Sequence, residues 1–190
     1  VLTGDDSTFT AGNDLSLTAG TSLTANHSTV IATAGSATIK ANGGDLSMNV
    51  STITANTSVT GTASGAVLFD GSAATAGTDL SLTAGAALTG TDATFTAGNN
   101  LSLTAGTSLT ANNSTVTATT GSATIKANGG DLSMNVSTIT ANTSVTGTAS
   151  GAMLLDASTA TADTDLSLTA GAAMTGTTST FIAGHRSEEH

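Results

Sequence analysis

The sequence lacks proline, cysteine, tryptophan and tyrosine, and it contains only four phenylalanines among 190 residues. The absence of cysteine excludes disulfides and thiolate metal sites. Charged residues make up 8% of the chain, whereas an ordinary globular domain has roughly 25%. Without aromatic bulk, a core must be built from alanine, leucine, valine and isoleucine, whose side chains fill only a thin interior. The composition therefore favours a narrow structure.

Basic residues are also scarce, since the chain has only Lys40, Lys126 and Arg186 and a net charge of −10. Phosphate contacts need clustered lysine or arginine, so we do not expect nucleic-acid binding. Attachment to an anionic membrane is disfavoured for the same reason. No segment approaches the roughly 20 consecutive apolar residues that span a bilayer, so we predict no membrane insertion.

What the chain has in abundance is threonine, in pairs two residues apart that return every 21 to 23 residues. An apolar residue separates the two positions of each pair, and an alanine follows. Neighbouring side chains of a β-strand point to opposite faces, so each strand would bury the apolar residue and the alanine and turn the pair outward. Nine such strands predict a β-solenoid. The outward positions carry Thr8, Thr10, Thr29, Thr52, Thr54, Thr75, Thr94, Thr96, Thr115, Thr117, Thr138, Thr140, Thr159, Thr161 and Thr180, with Ile31, Ala73 and Ile182 at the other three.

A longer repeat of 86 residues lies over the short one, and the segment 35–66 recurs unchanged as 121–152. We therefore predict an all-β protein with one parallel β-solenoid (β-helix) domain over residues 1–184, containing near-duplicated units at 9–94 and 95–180. Each of about nine coils divides into three strand-like pieces joined at glycine, asparagine and aspartate, which favour sharp corners. The cross-section is accordingly predicted to be roughly triangular. Residues 185–190 fit no coil and are interpreted as a tag remnant or a native linker, and the whole chain as a piece of a longer protein.

Two predicted sides are lined by stacked apolar residues. The first side is lined by Leu15, Leu17, Ile39, Val59, Leu80, Leu82, Leu101 and Leu103. The second is lined by Leu23, Met48, Phe69, Leu88, Leu109, Met134, Leu155 and Met174. Stacking like residues at the strand spacing of about 4.8 Å would exclude water along the whole axis.

The third side differs from the others on its outer surface, because 15 of its 18 outward positions are threonine and none is charged. On the other two sides only 14 of 32 predicted outward positions are threonine, and one of these sides carries lysines. Threonine is a good strand former in any case, which is the simplest explanation. However, charge normally keeps a surface soluble, and strand formation alone does not remove it from one side. A flat, uncharged array of short side chains suits contact with a regular solid such as ice.

These threonine ladders resemble those of β-solenoid ice-binding (antifreeze) proteins from insects and bacteria. The resemblance implies that the paired threonines contact ice or an ordered water surface. The insect proteins use disulfides and shorter coils, whereas this chain has no cysteine and longer coils. The likeness is therefore one of site and not of ancestry.

The repeats themselves, such as AGNDLSLTAGTSLTAN from Ala11 and AGTDLSLTAGAALTG from Ala76, resemble those of filamentous-haemagglutinin-type secreted adhesins. That resemblance implies a structural shaft that is exported by a Gram-negative bacterium and is secreted or held at the cell surface. Ice binding and a shaft role both stay open, and a carbohydrate-binding groove is weaker because stacking aromatics are lacking. The ends carry no obvious cap, so we also expect end-to-end or repeat-to-repeat stacking.

Enzymatic catalysis is not expected. Of three histidines, His27 becomes Asn113 in the second unit, and His185 and His190 lie in the final residues. No serine, histidine and aspartate grouping can be assembled from these positions. The segment from Asn42 resembles calcium-binding β-roll repeats but lacks their GGxGxD core, so we predict no metal site and no cofactor.

Overall fold

The computed structural model describes residues 1–184, and the predicted tail at 185–190 lies outside them. The described chain is all β and winds into a parallel β-solenoid of about nine coils, as the sequence predicts. These residues form no helix of the length and apolarity needed to cross a membrane. At the usual strand spacing, nine coils make a rod about 40 Å long.

Each coil contributes three short strands. In chain order the strands are β1 (Leu2–Asp5), β2 (Thr8–Ala11), β3 (Leu15–Ala19), β4 (Leu23–Asn26), β5 (Thr29–Ala32), β6 (Ala37–Ala41), β7 (Leu46–Asn49), β8 (Thr52–Ala55), β9 (Val59–Ala63), β10 (Val67–Asp70), β11 (Ala73–Ala76), β12 (Leu80–Ala84), β13 (Leu88–Thr91), β14 (Thr94–Ala97), β15 (Leu101–Ala105), β16 (Leu109–Asn112), β17 (Thr115–Ala118), β18 (Ala123–Ala127), β19 (Leu132–Asn135), β20 (Thr138–Ala141), β21 (Ser144–Ala149), β22 (Met153–Asp156), β23 (Thr159–Ala162), β24 (Asp165–Ala170), β25 (Met174–Thr177) and β26 (Thr180–Ala183).

The strands stack into three parallel sheets, one on each side of the rod. Sheet 1 has nine strands in the order β1-β4-β7-β10-β13-β16-β19-β22-β25. Sheet 2 has nine in the order β2-β5-β8-β11-β14-β17-β20-β23-β26, and sheet 3 has eight in the order β3-β6-β9-β12-β15-β18-β21-β24. Every third strand along the chain therefore returns to the same sheet, one coil further along the axis.

Sheet 3 confirms the first predicted apolar lining. Leu15 is aligned with Ala37 and Leu17 with Ile39, and both columns continue along the rod. Ile39, Val59 and Leu82 are fully buried. Burying apolar side chains in this continuous interior is the main stabilising contribution to the fold.

In sheet 1 the predicted alignment was wrong by two residues at several coils. Leu23 is aligned with Leu46, and Met48 is aligned with Ala25. Each strand turns two residues inward, and the prediction kept only one of the two. The corners of the backbone, and not the size of the side chains, determine which residues of neighbouring coils are aligned. A small residue such as Ala25 can therefore lie in the same inward column as Met48.

The small residues of sheet 1 make room for large residues of sheet 2. A Cβ added at Gly90 would lie 3.2 Å from the ring of Phe95 in the same coil. One coil earlier the sizes are reversed, with Phe69 in sheet 1 and Ala74 in sheet 2, both buried. The rings of Phe69 and Phe95 consequently meet edge to face with centroids 5.2 Å apart, a favourable aromatic geometry.

Aspartates at the corners hold successive coils together. The Asp14 carboxylate accepts a hydrogen bond from the Ser36 amide at 2.8 Å, and the Asp45 carboxylate accepts one from the Ala66 amide at 2.7 Å. Gly35 and Gly65 lie directly against these carboxylates, where an added Cβ would collide. This explains why aspartate and glycine recur at the corners.

Candidate functional site

The outward surface of sheet 2, which we name the threonine face, contains every threonine that the sequence analysis assigned to the candidate site. Its first column aligns Thr8, Thr29, Thr52, Ala73, Thr94, Thr115, Thr138, Thr159 and Thr180, and its second aligns Thr10, Ile31, Thr54, Thr75, Thr96, Thr117, Thr140, Thr161 and Ile182. The strands are parallel and in register throughout. The structure therefore brings these residues together on one side of the rod.

The residues between the columns point into the core, as the alternation of a strand requires. Val30, Ile53 and Phe95 are at most 1% exposed. Ten of the face threonines are exposed and five are half-buried, the latter being Thr29, Thr96, Thr117, Thr159 and Thr161. The face thus has a rigid apolar backing under side chains that reach solvent.

The hydroxyl groups of the threonine face have no partner within the described residues. Side-chain hydrogen bonds of threonine in this part of the chain involve only Thr57, Thr120, Thr143 and Thr164, which lie at corners or beside sheet 3. The face hydroxyls can therefore donate to and accept from water. Each threonine also presents a methyl group to the same layer, and its β-branched side chain is restricted at χ1.

The array is a grid with two fixed spacings. Two residues along a strand correspond to roughly 6.6–6.8 Å, and neighbouring strands are about 4.8 Å apart. Four consecutive coils carry complete pairs, from Thr94 and Thr96 to Thr159 and Thr161. The earlier half of the face is interrupted by Ile31 and Ala73.

The threonine face carries no charge within residues 1–184. The outer surface of sheet 3 differs because Lys40 and Lys126 share one column of it. The outer surface of sheet 1 carries Asp70 and Asp156 together with two exposed leucines, Leu68 and Leu154. Acidic residues approach the threonine face only at its two borders. Asp6 and Asp92 occupy the corner before the first column, and Asp163 follows the end of β23 after the second column.

A ladder of buried serines supports the border of the threonine face, and the sequence analysis missed it. Ser28, Ser51, Ser114, Ser137 and Ser158 are each at most 3% exposed. Their hydroxyls accept hydrogen bonds from the amide of the residue at the same place in the preceding coil. They donate in turn to backbone carbonyls. The signal in the sequence was a serine directly before eight of the nine threonine-pair positions.

The residue before each ladder position has a left-handed backbone. This column contains Asp6, His27, Val50, Gly71, Asp92, Asn113, Val136, Ala157 and Thr178, with φ between 46° and 54°. Glycine and asparagine suit this conformation, whereas valine is strained in it. The repeated corner gives every strand of sheet 2 the same start, which keeps the threonine columns in register.

Potential metal ligands do not cluster in the part of the chain that the structure describes. His27 lies at the left-handed corner before sheet 2. Residues 1–184 contain no group of three potential metal ligands and no cavity. The surface that remains distinctive is the threonine face.

Comparison with known proteins adds no family assignment. No family model, no curated protein and no solved structure matches this chain significantly. The resemblances to ice-binding proteins and to secreted adhesins therefore stand on the repeats alone. The established result is a β-solenoid of about nine coils with threonine at repeated strand positions.

Proposed function

We propose that the protein binds ice through the threonine face. The observation that carries this proposal is the alignment of 15 threonines in two columns without a charged residue among them. Each hydroxyl and methyl pair contributes little by itself. Many such groups acting together on a rigid surface give useful affinity, because little ordering entropy remains to be lost on binding.

The face is suited to ordered water because its geometry is set before any ligand arrives. The buried serines and the left-handed corners fix the strand positions, and the apolar core fixes the inward residues. Water molecules held between hydroxyls at the two grid spacings would match a crystalline layer over several coils. A charged side chain would instead organise water around itself.

Thr115→Lys tests the proposal, because Thr115 is exposed and lies within the four uninterrupted coils. The ammonium group must lose hydration to approach ice, and even about 1.4 kcal/mol of such cost weakens binding about tenfold. We expect the inhibition of ice recrystallisation to need about tenfold more protein, with unchanged circular dichroism. Thermal hysteresis should fall in parallel.

Thr83→Lys is the matched control. Thr83 is exposed in the sheet 3 column that already contains Lys40 and Lys126, so the substitution makes the same change in charge on another side of the rod. This variant should keep full ice activity. If the unmodified protein leaves growing ice crystals unaffected, the proposal is wrong.

A second function, the shaft of a secreted adhesin-like protein, is favoured by a different observation. At the boundary between the two 86-residue units, the strands of all three sheets pair in the same register as elsewhere. Further coils could therefore be added without changing the cross-section of the rod. In this role the protein would be secreted or at the bacterial cell surface. A secretion signal and many more repeats in the gene, together with no effect on ice, would favour the shaft over ice binding.

A further inference from the structure

Two corners of the rod contain an asparagine followed directly by a glycine. They are residues 42–45, between β6 and β7, and residues 128–131, between β18 and β19. Both lie where sheet 3 passes into sheet 1, whereas the threonine face belongs to sheet 2. Asparagine and glycine are exposed in both corners. The same dipeptide is therefore open to solvent once in each 86-residue unit.

These two corners leave an amide without a partner. The other described corners between sheets 3 and 1 have three residues, whereas these two have four. In the three-residue corners that follow another coil, the second amide donates to the preceding coil, as the Gly65 amide does to the Gly44 carbonyl at 2.9 Å. In the longer corners the second amide belongs to Gly43 or Gly129, and it donates to no backbone carbonyl within residues 1–184. The extra residue thus removes this amide from the ladder between coils.

An asparagine side chain can react with the backbone nitrogen of the residue that follows it. The amide proton is lost to base, and the nitrogen attacks the side-chain carbonyl carbon. The side-chain nitrogen leaves as ammonia, which gives a cyclic succinimide. Water then adds to either ring carbonyl and opens the ring to isoaspartate or aspartate. The reaction needs a following amide that no acceptor holds, and glycine favours it because it has no side chain to obstruct the attack.

The ladder between coils protects most other asparagines from this reaction. The amide after Asn56 donates to the Gly35 carbonyl at 3.1 Å. Asn113 is exposed, yet the Ser114 amide that follows it donates to the Ser137 hydroxyl at 3.1 Å, so exposure alone is not sufficient. The following amide is likewise bonded at Asn26, Asn49, Asn99, Asn100, Asn112, Asn135 and Asn142.

We propose that Asn42 and Asn128 are modification sites at which the folded protein deamidates spontaneously, through a succinimide, to isoaspartate and aspartate. Asn13 is the remaining asparagine, and the side chain and negative charge of Asp14 after it hinder the attack. Each reaction adds one negative charge to a chain whose net charge is −10. The sites lie outside sheet 2, so the proposal does not depend on ice binding.

Peptide mapping by mass spectrometry measures the reaction. The folded protein is incubated in mildly alkaline buffer, in which the amide loses its proton more readily, and is then unfolded, digested and fragmented. We expect Asn42 and Asn128 to gain the mass difference between an amide and an acid, as mixtures of isoaspartate and aspartate, while Asn56 and Asn142 stay unchanged. Modification that spreads evenly over the asparagines, or that is absent from Asn42 and Asn128, would overturn the proposal.

The same incubation in guanidinium chloride separates the effect of the fold from that of the dipeptide. Unfolding breaks the hydrogen bond between the Ser114 amide and the Ser137 hydroxyl, so Asn113 should react only in the unfolded chain. Asn42 should react in both states. If Asn113 reacts equally in both states, or Asn42 reacts only after unfolding, the assignment is wrong.

The double variant Asn42→Gln with Asn128→Gln removes both sites without changing the charge, because glutamine must form a larger ring to cyclise. This variant should release little ammonia and keep its isoelectric point during incubation. Asn56→Gln with Asn142→Gln is the matched control, because these asparagines are also exposed but are followed by bonded amides. The control should become more acidic at the rate of the unmodified protein. Equal acidification of the two double variants would disprove the proposed sites.

Discussion

Serine and threonine both carry a hydroxyl group, yet at sheet 2 they occupy opposite positions, one buried and the other facing solvent. The serines before sheet 2 are buried and bonded to the backbone of their own coil and of the coil before. The threonine side chains of sheet 2 point outward, and their hydroxyls make no hydrogen bond to the protein within residues 1–184. The extra methyl of threonine suits a strand surface, whereas the smaller serine fits into the corner.

Ser137→Ala tests the serine ladder. The Ser137 hydroxyl accepts from the Ser114 amide at 3.1 Å and donates to the Ala111 and Asn135 carbonyls at 3.0 Å. Removing it leaves a buried amide without a partner, so we expect the free energy of unfolding to fall by about 1–3 kcal/mol. Alanine fits the space, since Ala93 occupies an equivalent position.

Urea denaturation followed by circular dichroism measures this loss. Ser133→Ala is the control, because Ser133 lies on the outer side of sheet 1 and is half-buried. Its effect should be within about 0.5 kcal/mol, as for most surface substitutions. Equal stability of Ser137→Ala and the unmodified protein would show that the ladder contributes nothing.

At the scale of the strand, the alternation of the sequence was enough to predict sheets 2 and 3. Their inward and outward residues follow a strict period of two, and the corners between them carry glycine, asparagine or aspartate. Sheet 1 was predicted less well because Ala25, Gly90 and Ala111 line its interior. Such small residues have no hydrophobic pattern to detect, and the volume they leave is filled from another sheet.

The positions of the threonines on one outward face could be predicted from the sequence. The buried serines and left-handed corners that hold this face in place could not. The spacing of the threonine pairs predicts an outward face. A serine before each pair does not predict a buried residue, because serine is equally typical of an exposed turn. Only the distances between coils show that Ser51 and Ser137 are buried donors and acceptors. The left-handed corner could not be predicted either, because Val50 and Val136 occupy it although valine disfavours a positive φ.

Filling the gaps in the threonine face is a test at the same scale. Ile31→Thr and Ala73→Thr together complete the pairs from the first coil to the eighth. A longer uninterrupted array should lower the protein concentration that inhibits ice recrystallisation, because more groups act on one crystal plane. Leu68→Thr, on the exposed side of sheet 1, adds a threonine elsewhere and should change nothing. Equal effects of the repaired face and the control would contradict the assigned site.

At the scale of the whole molecule, the rod is a sum of coils that each contact only their neighbours. Its stability should depend on coil number and on the interfaces between coils. Deleting residues 54–139 removes 86 residues and joins Ile53 to Thr140, which preserves the alternation of the strand. We expect a shorter rod that stays folded and melts at a lower temperature by circular dichroism.

Deleting residues 54–138 is the matched control. It removes one residue fewer and joins Ile53 to Ile139, so every following residue of that strand is turned to the opposite side. This variant should lose cooperative melting in the second half of the rod. If both deletions melt alike, register between coils does not determine the fold.

The duplication of four whole coils has a consequence for how such a protein changes over generations. Segments 35–66 and 121–152 are identical in amino-acid sequence, so a recombination event between the two copies would join matching positions of the fold. An exchange between them adds or removes one complete unit and leaves every corner and column aligned. Rod length can therefore vary among descendants by a single genetic event, without passing through a misfolded ancestor.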